Sequence, residues 1–228
     1  MGTLLEVPAV CKLYVMYSYI LRPAKTSVSL SLYKTYMQLL LTHLADVFTG
    51  LTIRNRNEIT MDGRVRLIQP RSVVGGPRLD LANIDYIDER PQSDRQYLTG
   101  GELILRTRGS RFEAALFPAD GIATMAAAPL IVLRPDAKRV VPEYLQWLLN
   151  ESPEVRQLME RVTRGSTVQA LNIEDLAKMT VPRPSLSRQR AIVEASTLSR
   201  RATELERQLS QLRKTYTALA LSAAASKE

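Results

Sequence analysis

The sequence predicts a mixed α/β protein, with one compact α/β domain followed by a long C-terminal helix of coiled-coil type. Three observations carry this. First, the chain beyond Pro184 contains no glycine or proline, and its apolar residues recur in steps of three and four. Second, residues 37–181 hold short apolar runs of strand length separated by glycine and polar turns. Third, the helix starters Pro142, Ser152-Pro153 and Asn172 cluster late in that region. At 228 residues and 25.6 kDa, with 45% apolar content, the chain suits one domain and an appendage.

Residues 1–36 are rich in Tyr, Ser and Leu and show no clean period. They read as an N-terminal extension whose translation is open, because the well-patterned segment begins at Met37, an alternative start. Leu4–Leu21 is the one membrane candidate. It holds Glu6 and Lys12 and has no basic leader or clear cleavage site, so neither a spanning helix nor a signal peptide is expected. With a lone Cys11, the expectation is a cytoplasmic protein without a disulfide framework.

From Met37 the elements follow in order. Leu39–Val47 reads as a short strand or helix leading to Gly50, and Val65–Ile68 as a strand. Gly100-Gly101 is a turn, followed by an apolar strand and a polar loop at Arg108–Arg111. Ala114–Phe117 and Leu130–Leu133 read as strands, and the small apolar residues from Gly121 to Pro129 between them suit close sheet packing. Pro142 fits the first position of a helix that buries Tyr144, Leu145, Leu148 and Leu149. Ser152-Pro153-Glu154 starts another helix with the stripe Val155, Leu158, Met159 and Val162. Gly165 suits its left-handed end. Asn172 caps a short helix to Lys178, and Thr180-Val181 reads as a brief strand.

The last helix is predicted from about Ser187 to Leu221, roughly 50 Å at 1.5 Å per residue. Ala195, Leu198, Ala202, Leu205, Leu209, Leu212, Tyr216 and Leu219 form its seam, the a/d pattern of a coiled coil. Such a stripe is too long and narrow to be buried on one small domain, so the partner helix is expected on another chain. The predicted boundaries are therefore 1–36, 37–181 and 182–228.

The net charge of +8 resides at the ends. Residues 1–36 contribute +3, residues 37–181 zero and residues 182–228 +5. Within the central region, residues 37–78 hold six arginines against three acids, and residues 79–120 five against eight. Basic and acidic segments in succession suit a one-faced polyanion binder. Arginine outnumbers lysine 24 to 7, but a genome rich in arginine codons explains that bias better than recognition does.

Catalytic constellations are missing. His43 is the only histidine and Cys11 the only cysteine, so clustered zinc sites are excluded, and a lone His in a Leu-rich segment reads as structural rather than as the base of a Ser-His-Asp or Cys-His site. Neither Gly75-Gly76 nor Gly100-Gly101 continues into a phosphate-binding loop, and no Asn/Asp-Pro-Pro-Tyr/Phe methyltransferase motif occurs. Asp88-Glu89, beside Arg90 and Pro91, reads as a solvated turn. No metal or cofactor is expected, and the chain reads as a binding subunit rather than an enzyme.

Gly165-Ser166, then Leu171 and Leu176, then Val181-Pro182, Pro184, Leu186, Gln189 and Ile192 running into a long helix form a pattern of some specificity in combination. Over residues 39–221 the chain resembles the DNA-specificity subunit of type I restriction–modification systems. The resemblance implies a target-recognition domain that reads half of a split double-stranded DNA site. It further implies a helix that sets half-site spacing and docks methyltransferase (modification) subunits, with a restriction subunit joining through the complex. The family's usual subunit has two recognition domains and two spacer helices, whereas this sequence has one of each, a half-length form. Self-association through the helix, as a homodimer, would restore the two-armed reader. DNA contacts are then expected from loops and strand ends of residues 50–120, with Arg54, Arg56, Arg64, Arg66, Arg71, Arg108 and Arg111 as candidates. The rival reading is a coiled-coil interaction module that binds no DNA, such as a degenerate fragment of a specificity subunit. The zero net charge of residues 37–181 favours it.

Overall fold

The computed structural model describes residues 38–53, 59–60, 63–74, 78–82, 84–88, 94–109, 112–163 and 170–226. Apart from Gln38, these lie in the compact unit Leu39–Glu228. The class is the predicted one, mixed α/β with a long C-terminal helix.

Two four-stranded sheets form the centre. One has the order β2 (Ala45–Thr49), β11 (Ile131–Pro135), β8 (Leu103–Arg106), β9 (Glu113–Leu116) and is wholly antiparallel. The other has the order β10 (Thr124–Ala126), β4 (Val65–Ile68), β7 (Asp85–Ile87), β3 (Ile59–Thr60), in which β10 and β4 run parallel. Two ribbons, β1 (Gln38–Leu40) with β12 (Thr180–Pro182) and β5 (Val73–Val74) with β6 (Arg78–Leu79), complete the strands. Among the described residues the α-helices are α1 (Pro142–Glu151), α2 (Pro153–Thr163), α3 (Ile173–Lys178) and α4 (Leu186–Ala225).

The first sheet is buried on both faces, which explains its unbroken apolar runs. Leu103, Leu105, Ile131 and Leu133 join the core with Tyr144, Leu145, Leu148 and Leu149 of α1. Their neighbours Ile104 and Val132 point the other way, onto Ile68, Val73 and Leu130. Alternation of side chains along each strand divides one run between two cores. The outer face of the second sheet carries a third, smaller cluster of Val65, Leu67, Ile87, Met125 and Ala127. Where β2 ends, Gly50 is required by close approach, since a Cβ there would lie 2.5 Å from the Ala126 carbonyl oxygen.

Several sequence expectations shift. Leu39–Val47 is neither one strand nor one helix. A 3₁₀ turn at Leu41–His43 separates β1 from β2, because Leu41 and Leu44 are both buried and the Leu41 N–H donates to the Met179 carbonyl across 2.8 Å. The small-residue stretch before Pro129 contains β10, a strand that its alanine content concealed. In α2, Val155 and Met159 are buried but Val162 is 39% exposed. Thr163 is buried in its place, and its hydroxyl donates to the Met159 carbonyl across 3.2 Å. Pro142 does open α1, and Asn172 does cap α3 by accepting from the Asp175 N–H at 2.8 Å. Gly165 and Leu4–Leu21 lie outside the described residues. Among the described residues, no helix is long and apolar enough to cross a membrane.

Candidate functional site

The predicted arginines separate by environment. Arg64 is exposed just before β4, and its backbone N–H donates to the Asp88 carboxylate at 3.3 Å. Arg71 follows Pro70 in a 3₁₀ turn with its side chain 60% exposed, paired with one oxygen of Asp85. Gln69 holds the other oxygen of that carboxylate at 2.5 Å. Arg64 and Arg71 thus flank β7, one at each end. Arg108 is exposed beyond β8 in the other sheet, where it bridges Ala170 and precedes Gly109 at φ 112°. That positive φ suits glycine and turns the chain sharply into the loop. Arg54, Arg56 and Arg111 lie outside the described residues, as do Ser166 and Gln169.

Arg66 is turned inward, against the expectation of a DNA-facing residue. It is 6% exposed, and its guanidinium donates to Asp120 at 2.5 Å and to the Thr124 hydroxyl at 3.0 Å. Arg66 and the Ile122 N–H hold the Asp120 carboxyl below its ordinary value. The side chain therefore ties β4 to the loop before β10. Two further arginines also serve the fold. Arg106 reaches the Val73 carbonyl at 3.1 Å and Glu113 at 2.5 Å. Arg134 pairs with buried Glu102, donates to the carbonyls of Arg95 and Tyr97, and lies 5.2 Å over the Phe48 ring. Three of the central arginines are thus structural.

The exposed apolar surface is concentrated on α4. Leu198, Leu205, Leu209, Leu212, Tyr216 and Leu219 are between 40% and 75% exposed, on a forty-residue helix that the other described residues leave largely uncovered beyond its base. Ala195 is half-buried near that base and Ala202 is exposed. Residue 225 ends the helix, four residues beyond the expected stop.

Between the domain and this helix lies a groove of about 830 Å³. Arg78, Leu79 and Leu116 line one wall, and Arg200, Arg201 and Leu205 the other. Glu204, at its edge, is held down to about 2 by Arg207 and Gln208 on its own helix, so its charge is already engaged there. Arg78 was counted in the basic stretch, but only the tertiary arrangement sets it opposite Arg200 and Arg201. Among the described residues, no group of three or more His, Cys, Asp or Glu could hold a metal ion.

Residues 34–212 match the family described as "Type I restriction modification DNA specificity domain". The chain belongs to that family. A solved HsdS subunit from Thermoanaerobacter tengcongensis shares the fold at TM-score 0.55 and 16% identity, over 87% of this chain and 45% of that one. A structure described as the basis of complex assembly and conformational transition of the type I R-M system is similar at TM-score 0.52 and 17% identity. It covers 89% of this chain and 50% of its own. The chain thus spans about half the length of the solved structures it matches. No curated protein sequence matches it.

Proposed function

We propose that this chain is a non-catalytic DNA-specificity subunit that directs a type I methyltransferase complex, and through it a restriction subunit, to a bipartite site. It does so as a homodimer paired through α4. Membership of the specificity family supports the DNA-directed role. The observation that carries the dimer is the eight-residue apolar seam, left largely exposed on a helix too long for its own domain. Two copies related by a two-fold axis present identical reading surfaces, so the preferred target is an inverted repeat with a gap set by the helices.

Within the domain, Arg64, Arg71 and Arg108 are the described candidates for DNA contact, with Arg54, Arg56 and Arg111 beside them in sequence. Arg66 is left out because the fold already uses its guanidinium. Specificity needs only a few forks aimed at base edges, while phosphate contacts position the domain.

One observation favours the rival, an interaction module without DNA binding: the central arginines cancel against acids, several of them in ion pairs. Two measurements decide. Purified chain with its methyltransferase should bind duplex DNA with an affinity that falls as salt rises. Methylome sequencing of a strain carrying both should return an interrupted palindrome. Salt-independent or absent binding supports the interaction module, and a motif with two unlike halves rules out the homodimer.

A further inference from the structure

Gln189 is fully buried at the base of α4, and its amide makes three hydrogen bonds. Its Oε1 accepts from the Val141 N–H at 2.8 Å, and its Nε2 donates to the carbonyls of Pro184 at 2.9 Å and Arg139 at 3.2 Å. One side chain thereby joins the strand-to-helix turn before α1, the loop before α4 and the first turn of α4 itself. At the opposite end of α1, Glu151 accepts from the Ser196 hydroxyl at 2.9 Å and faces Arg200 at 3.5 Å. Ile192 and Val193, between these points, pack on the main core. The first turns of α4 therefore run alongside α1 in the same direction and are pinned at both ends.

Beyond Arg200, along and past the groove it shares with the domain, α4 is exposed at residues 201–222 and 224–226. Some 25 residues beyond Arg200 make a lever about 37 Å long at 1.5 Å per residue. A swing of about 5° at its base moves the tip roughly 3 Å, close to the 3.4 Å rise of one base-pair step. Apolar contacts at Ile192 and Val193 resist separation but tolerate sliding and rotation. Three directional bonds from a buried amide do not, since each broken one leaves a polar group unpaired in the interior. The burial of a glutamine here is explained by that directional demand.

We propose that Gln189, with Glu151 as the second anchor, is the positioning residue that fixes the angle between the reading domain and α4. It thereby fixes the gap between half-sites. This rests on the reading of the domain as DNA reader and of α4 as spacer.

The test uses the full chain with Cys11→Ser and spin labels at Ile122→Cys and Leu221→Cys, diluted with unlabelled chain. Domain-to-tip distances are compared with those of Gln189→Met and Glu151→Gln variants. The parent should give a single narrow distance, and Gln189→Met should lose it. In a strain with the methyltransferase, Gln189→Met should methylate sites whose gap is about one base pair longer or shorter, with unchanged half-sites. A folded Gln189→Met chain that keeps the narrow distance overturns the proposal, as does methylation confined to the parental gap. Should Gln189→Met fail to fold, Glu151→Gln decides, because it changes only a surface contact: an unchanged distance width overturns the two-point anchor. A parent chain that methylates no split site strikes the DNA reading instead, and the distance comparison still judges the anchor.

Discussion

Arg66 and Asp120 show how one ion pair is tied to its surroundings. The arginine is almost fully enclosed, so replacing Asp120 removes the carboxylate it is bonded to among the described residues and leaves a cation in the interior. Asp120→Asn should lower the melting temperature at neutral pH. Because the folded-state value of Asp120 is depressed, the pair's contribution is fully present above the unfolded value of about 3.9 and disappears as pH falls through the lower folded value. The difference between parent and variant should therefore shrink in acid; denaturant titrations at neutral pH and below about pH 3 check it. A difference that stays constant across that range would refute the ion-pair account. Arg64, Arg71 and Arg108 belong to a different class of residue. Replacing all three by alanine should weaken DNA binding and flatten its salt dependence by roughly one unit of slope per lost phosphate contact, with little change in stability.

The seam of α4 is a property of the whole element. Leu205 and Leu212 are 56% and 67% exposed in the single chain, so polar substitution there costs the monomer little. In a paired helix the same positions are enclosed, and an unpaired carboxylate costs several kcal/mol. Leu205→Asp with Leu212→Asp should therefore abolish self-association while leaving the thermal unfolding of the domain in place. Light scattering that still reports a dimer would remove the coiled-coil argument. The helix boundaries were legible because their causes are local. Pro142 and Asn172 act within one turn; the cap of α4, Ser185 accepting from the Arg188 N–H at 3.4 Å, went unread, and the helix starts at Leu186 rather than Ser187. The short strands β3, β5, β6 and β7 went unread, since two or three residues give no period to detect.

At the scale of the molecule, the proposed reading domain anchored to α4 would behave as a ruler. Inserting one heptad after Gln208 keeps the seam in register and lengthens the paired helices by about 10 Å, or roughly three base pairs along DNA. The methylated motif should keep its half-sites and gain a gap longer by that amount. An unchanged gap would mean that base contacts, not the helix, set the spacing.

By itself, the sequence determined the features whose physics acts within a few residues. These are the seam of eight apolar positions, the helix caps, the strands Val65–Ile68 and Leu103–Arg106, and the lack of a histidine or cysteine constellation. Its pattern from Gly165-Ser166 through Val181, Pro182, Pro184, Leu186 and Gln189 to Ile192 also carried the likeness to the specificity family. Only the tertiary structure decided which arginines face outward. Arg64 and Arg66 are two residues apart in one basic stretch, yet Arg66 meets an aspartate 54 positions away and Arg64 stays exposed. The parallel pairing of β10 with β4, the division of one apolar run between two cores, and the burial of Gln189 against Val141 are of the same kind. Each depends on a partner distant in sequence, whose interaction free energy outweighs local preference and leaves no periodic trace in the chain.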